Sequence, residues 1–193
     1  MKQRIGILGG TFNPIHNGHL IIAQLVLEKL GLDKVVFVPS YLPPHKKKAE
    51  ILSGKDRLKM CQLAVKGHSH FEVSNVEIKR GGKSYTVDTV EWFIGQYPKG
   101  TKFYFIIGED NLSSLLSWKR IQDLLKMVRF VVVSRHTQQR NKSLVKCLTI
   151  LTPLIEISSS QLRRRIVQGK TIEYFMPKEV VQYIQKNKLY QNG

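Results

Sequence analysis

The sequence predicts an α/β fold: a doubly wound parallel sheet with helices on both faces and a small C-terminal helical extension. Three observations predict it. Apolar runs of strand length alternate with stretches of helical period. The runs are short and rich in β-branched residues, as strands buried on both faces are. The first run opens directly into a glycine-bearing turn followed by a helical pattern.

Residues 4–8 read as the first strand, residues 20–30 as a helix and residues 35–38 as a second strand, which makes a βαβ opening. A helical stretch at 57–66 is followed by an alternating 71–78, read as a strand, and a helix at 87–97. The strongly apolar 103–107 is the next strand, then a helix at 121–126 and a strand at 130–133. A short strand at 154–157 leads into a helix from 160 to 168. Past Gly169, Pro177 suits a first helical position, with an amphipathic 179–188 behind it. The most loop-like segment is 41–52, with Pro43 and Pro44 in tandem and a basic run at 45–48.

At 193 residues and 42% hydrophobic content, the chain has enough apolar surface for one domain over residues 1–193, residues 170–193 being its helical extension. Its two cysteines, Cys61 and Cys147, stand in apolar stretches far apart, so both read as buried small hydrophobes, which argues against a disulfide or thiolate zinc site. The first residues lack the long apolar region of a signal peptide or a spanning helix, so a cytoplasmic setting without membrane contact is expected. The balance of 31 Lys and Arg against 14 Asp and Glu, a formal +17, concentrates anions near the surface. Nucleic acid, an anionic nucleotide substrate and a plain solvated surface all fit that charge. No basic face interleaved with aromatics supports the first, so no nucleic-acid partner is expected.

The most informative stretch is Gly9-Gly10-Thr11-Phe12-Asn13-Pro14-Ile15-His16-Asn17-Gly18-His19, between the first strand and the first helix. Ligands of open parallel sheets sit beyond the carboxyl ends of strands, and this first turn is a favoured phosphate position. Gly9 and Gly10 let backbone approach a ligand. His16 and His19, three apart at a helix start, share one face. The free amides of a helix start attract anions, and two imidazoles add donors where charge builds on a phosphoryl group. Zinc ligation would need a third ligand or an HExxH arrangement, and neither is present, so no metal site is expected here. The dinucleotide fingerprint GxGxxG is absent, and Gly81-Gly82-Lys83-Ser84 fails as a P-loop because Glu77 stands where its first glycine belongs.

A second motif, Ile157-Ser158-Ser159-Ser160-Gln161-Leu162-Arg163, reads as another strand running into a helix. Serines at a helix start offer hydroxyls and amides, and Arg163 one turn later reaches the same face, which suits a triphosphate. Of Arg163, Arg164 and Arg165, the helical turn lets only one or two face such a site.

Together the two motifs resemble the nucleotidylyltransferases of the (H/T)xGH class, whose second signature is ISSTxxR-like, here expected at the opposite end of the sheet from the first. Within that class the chain resembles the bacterial nicotinate mononucleotide adenylyltransferases over essentially all its length. The likeness also rests on Pro43-Pro44-His45-Lys46, Ser84-Tyr85-Thr86-x-Asp88-Thr89, Ile107-Gly108-x-Asp110 followed by Trp118, and the closing Leu189-Tyr190. Asn13 departs from the usual aspartate, and Ser160 from the usual threonine while keeping the hydroxyl.

The resemblance implies a Rossmann-like fold and transfer of the adenylyl group of ATP to nicotinate mononucleotide, giving nicotinic acid adenine dinucleotide and pyrophosphate. It assigns His16, His19 and Arg163 to catalysis. Gly9, Gly10, Thr11, Phe12, Gly108, Asp110, Ser158, Ser159 and Ser160 would bind ATP. Lys46, Thr86 and Trp118 would meet the acceptor, with Thr86 at the pyridine carboxylate and Trp118 stacking on the ring; for Trp118 a plain core role is the alternative. Mg²⁺ would travel with the phosphates, and a homodimer is expected at the family level. Pantetheine-phosphate adenylyltransferase shares both signatures but not the 84–89 and Trp118 features. An aminoacyl-tRNA synthetase would need a tRNA-binding domain and a KMSKS-like segment.

Overall fold

The computed structural model describes residues 2–44, 51–134 and 145–191. Six strands form one parallel sheet in the order β3-β2-β1-β4-β5-β6. They are β1 (Arg4–Gly10), β2 (Lys34–Pro39), β3 (Phe71–Val73), β4 (Lys102–Gly108), β5 (Arg129–Ser134) and β6 (Leu148–Leu151). β1 is central, paired in register with β2 (Ile7 beside Val36) and with β4 (Ile7 beside Phe105). Strand order reverses between β1 and β4, and such a switch point leaves a crevice at the carboxyl ends of those two strands.

Both sheet faces are covered, which is why the strands read as continuous apolar runs. On one face α1 (Asn17–Leu30), α2 (Gly54–Ala64), α6 (Ser159–Val167) and α7 (Lys178–Lys186) bury Ala23, Val26, Met60, Leu162, Val180 and Ile184 against Val35, Phe37 and Ile106. On the other, α4 (Thr86–Gln96) and α5 (Ile121–Met127) bury Val87, Val90, Phe93 and Leu124 against Ile5, Ile7 and Phe105. α1 stops at Gly31, whose φ of 53° is the left-handed end a glycine supplies cheaply. α7 is tied to α2 by the Tyr183 hydroxyl, which donates to Asp56 Oδ1 at 2.8 Å.

Three expectations are corrected. The alternating 71–78 is a strand only over Phe71–Val73, with a short helix α3 (Val76–Arg80) after it. Ser74 donates its amide to Phe37 O at 2.9 Å, and its hydroxyl then accepts from the Val76 amide, turning the chain into the helix. The sixth strand is Leu148–Leu151 rather than 154–157. Pro153 follows it and has no amide to continue a ladder, so 154–157 runs on without pairing. Cys61 is fully buried as expected, whereas Cys147 is half-buried; neither forms a disulfide. Between β4 and α5 runs a 3-10 helix (Glu109–Ser117) that ends at Trp118.

Candidate active site

β1 delivers Gly9 and Gly10 to the carboxyl edge of the sheet, where Gly10 O accepts from the Ser40 amide at 2.9 Å. A Cβ at residue 10 would stand 2.9 Å from the Phe12 ring, so only glycine lets that ring fold back under the turn. Phe12 holds a left-handed φ of 46°, and the Asn13–Pro14 peptide bond is cis. The chain then enters α1 with His16 buried at its N-cap.

His16 and His19 stack with ring centroids 3.7 Å apart, and the Phe12 ring meets His19 edge-on at 5.0 Å. His19 Nδ1 accepts the His16 backbone N–H at 3.2 Å, which leaves the imidazole hydrogen on Nε2. Burial first, and then the neighbouring His16, hold the His19 pKa well below the usual imidazole value. His19 is therefore a neutral donor with a fixed tautomer, suited to an oxygen that gains charge during reaction.

The helix start is less open to anions than its position in sequence implies. The Asn17 amide donates to Phe175 O at 2.8 Å, and the His19 amide to His16 O at 2.9 Å. Asn17 Nδ2 adds a bond to Tyr174 O at 2.7 Å, so the C-terminal segment is clasped onto the end of α1. Side chains, more than helix amides, must supply donors here.

The second motif meets the first directly. Ser158 caps α6 by accepting the Gln161 amide at 3.2 Å, and Gln161 Oε1 accepts the Ser158 amide in return. Ser159 Oγ donates to Pro14 O at 2.8 Å. Arg163 donates to Asn13 O at 2.8 Å and to Ser160 Oγ at 3.2 Å. The expectation that the two signatures stand at opposite ends of the sheet is thus overturned: α6 follows the edge strand in sequence but crosses back to the turn after β1. Ser158 and Ser159 hold structure with their hydroxyls, while Arg163 aligns Ser160. Arg165 instead reaches Thr171 O at 3.0 Å and lies over the Phe175 ring, so the arginine run is divided as the helical turn requires.

Gly108 ends β4 beside this turn, with the Asp110 carboxylate folded against it. Thr86 opens α4 and is half-buried. Beside it, Lys119 lies 4.4 Å from the centre of the Tyr85 ring and pairs with Asp88 at 3.3 Å. Trp118, also half-buried, meets Phe105 and Phe130 edge-on at 6.1 Å each. The Lys119 contacts tie the start of α4, where Thr86 stands, to the segment that carries Trp118. Lys46 and the rest of the basic run at 45–48 lie outside the described residues. The stems of that loop are fixed: Tyr41 donates its amide to Ser84 Oγ at 2.9 Å, and Leu52 donates its amide to Asn13 Oδ1 at 3.3 Å.

The bracing of Asn13 by the end of the chain, and the burial of Arg57, escape a reading of local sequence. Asn13 is buried, and its Oδ1 also accepts from the Tyr190 hydroxyl at 3.0 Å, so the end of the chain braces the turn after β1. Burial pushes the Tyr190 phenol pKa well up, keeping it a donor. Arg57 is 1% exposed and binds backbone carbonyls around the same turn. An arginine on an amphipathic helix reads as solvated; nothing local marks it as buried.

A parallel sheet with this strand order, with stacked imidazoles and an arginine-bearing helix start at its switch point, defines a nucleotidyltransferase-like protein. The family model described as cytidylyltransferase-like matches residues 7–165. A Streptococcus mutans protein named probable nicotinate-nucleotide adenylyltransferase is 43% identical over 98% of this chain and 90% of its own. A Bacillus pumilus protein of the same name is 40% identical over 98% of this chain and 100% of its own. Plasmodium falciparum nicotinic acid mononucleotide adenylyltransferase, solved in complex with NaAD, shares the fold with a TM-score of 0.77 at 21% identity, over 99% of this chain and 98% of its own. The chain belongs to the nicotinate-nucleotide adenylyltransferase family within the cytidylyltransferase-like proteins.

Proposed function

We propose that this chain transfers the adenylyl group of ATP to nicotinate mononucleotide, forming nicotinic acid adenine dinucleotide and pyrophosphate, a step of NAD biosynthesis. The observation that carries the reading is the junction of the two signatures: Ser159 on Pro14 and Arg163 on Asn13, beside the stacked His16 and His19. The names of the full-length relatives supply the acceptor.

An oxygen of the acceptor phosphate attacks the α-phosphorus of ATP, and the bond from that phosphorus to the bridging oxygen of pyrophosphate breaks. The attacking oxygen is already an anion, so no side-chain nucleophile is required and the chain's work is positioning and charge stabilisation. His19 donates from Nε2 to the charge developing in the transition state, alongside His16. Arg163 and Ser160 hold the leaving pyrophosphate. Gly9, Gly10, Thr11, Phe12, Gly108 and Asp110 surround the adenosine end, and Ser158 and Ser159 keep the α6 helix start in place. Thr86 and Trp118 receive the pyridine ring and Lys46 the acceptor phosphate.

Mg²⁺ enters as part of the ATP substrate. Among the described residues there is no group of three or more His, Cys, Asp or Glu side chains that could hold a metal ion, and Mg²⁺ as a rule takes phosphate oxygens and waters with at most one or two carboxylates. Residues 1–193 act as one catalytic domain drawing on the cytoplasmic ATP pool, with a homodimer as the assembled form. No described helix is long and apolar enough to cross a membrane.

The test is pyrophosphate release from ATP and Mg²⁺ with nicotinate mononucleotide, nicotinamide mononucleotide or phosphopantetheine in separate reactions. Release far above the others with nicotinate mononucleotide is expected. Release with phosphopantetheine alone, or with no acceptor at all, would sink the proposal.

A further inference from the structure

Among the described residues Arg57 is the largest fully buried side chain, on the first turn of α2. Nε donates to Leu52 O at 2.9 Å, one terminal nitrogen to Thr11 O at 2.7 Å and Ser40 O at 2.6 Å, and the other to Tyr41 O at 3.1 Å. Those carbonyls belong to three separate segments: the turn after β1, the end of β2, and the return of the basic loop into α2. Among the described residues no carboxylate forms an ion pair with it, although Glu77 attracts it from a distance. A buried cation is costly, and an apolar side chain of similar size fills a core at least as well.

What the guanidinium adds is direction. The Thr11 carbonyl and the Phe12 N–H are the two ends of one trans peptide unit, so a donor fixed on the oxygen sets where the N–H points and polarises it. The same group ties that peptide to Ser40 and Tyr41, where the basic loop departs, and to Leu52, where it returns. A buried positive charge under this turn also favours phosphate nearby, in surroundings that screen it weakly.

We propose that Arg57 is a positioning residue for the transfer reaction: it orients the Thr11–Phe12 peptide toward the bound ATP and fixes both stems of the basic loop relative to that peptide. The role rests on the adenylyltransferase reading above. Lysine keeps the charge, but its three donors sit on one nitrogen and cannot replace four bonds spread over the three nitrogens of the planar fork.

The experiment compares the full chain with Arg57→Lys and Arg57→Met, by thermal melting, affinity for a non-hydrolysable ATP analogue, and steady-state kinetics. Arg57→Lys is expected to melt cooperatively, to bind the analogue about tenfold more weakly and to lose about 10²-fold in kcat, as a misplaced reacting group does. Arg57→Met is expected to lose more. Analogue affinity and kcat within twofold of the parent in a folded variant overturn the proposal, even with a lowered Tm. Failure of both variants to fold makes Arg57 a core strut and overturns it too. Analogue binding needs no acceptor. A parent chain that binds the analogue but makes no product with nicotinate mononucleotide refutes the function proposed above, while the Arg57 affinities still decide this one.

Discussion

Replacing Gly18 by alanine separates stability from catalysis at the first motif. Gly18 is buried in the first turn of α1, and a Cβ there would stand 3.0 Å from His16 Nδ1 and 3.1 Å from its Cε1. Ordinary contact begins at 3.4 Å, so the imidazole must retreat by about 0.4 Å, and its stacking on His19 at 3.7 Å leaves it little room. Misplacing a reacting group by about 1 Å costs about 10²-fold, so kcat should fall on the order of five- to tenfold. Helix propensity acts in the opposite direction: alanine is favoured over glycine by about 1 kcal/mol inside a helix and restricts the unfolded chain. Tm should therefore hold or rise by about 2–4 °C for a chain of this size. Calorimetry and pyrophosphate-release kinetics on the same preparation read both. A raised Tm with kcat unchanged within twofold would refute the dependence of turnover on the placement of His16; a lowered Tm would show that the contact outweighs propensity.

His19→Ala should fold normally, as seen by circular dichroism, and lose about 10² to 10³ in kcat, the usual effect of deleting a preorganised donor. Activity like the parent's would remove His19 from the mechanism. Tyr190→Phe deletes one hydrogen bond to Asn13 Oδ1, which keeps the Leu52 amide as a donor, so the cost should be about 1 kcal/mol by denaturant titration. A loss above about 3 kcal/mol would mean the hydroxyl has a further role. Because the folded pKa of His19 lies below its unfolded value, its contribution favours folding fully above about pH 6.5 and is lost as pH falls from there toward the folded pKa, where only the unfolded chain binds the proton. Stability of the parent should fall with pH in that window more steeply than that of His19→Ala; equal slopes would rule out an imidazole held neutral by the fold.

The alternation of strands and helices was legible because burial on both faces leaves a local signature of short β-branched runs between amphipathic stretches. Both site motifs were legible for the same reason: His16 and His19, and Ser158 through Arg163, are each a few residues long and take their meaning from a strand end or helix start nearby. Local alternation cannot say where a ladder stops, so 71–78 and 154–157 were misread. Pairing length depends on the neighbouring strand and on residues such as Pro153 and Ser74. The sequence alone thus determined the fold class and the two motifs. Tertiary structure alone decided that Ser159 and Arg163 dock on Pro14 and Asn13, partners 145 and 150 positions away in the chain. It likewise decided that Phe175 occupies the Asn17 amide and that Arg57 is buried, because hydrogen bonds between distant segments and the desolvation of a charge are set by chain crossings that no local pattern records.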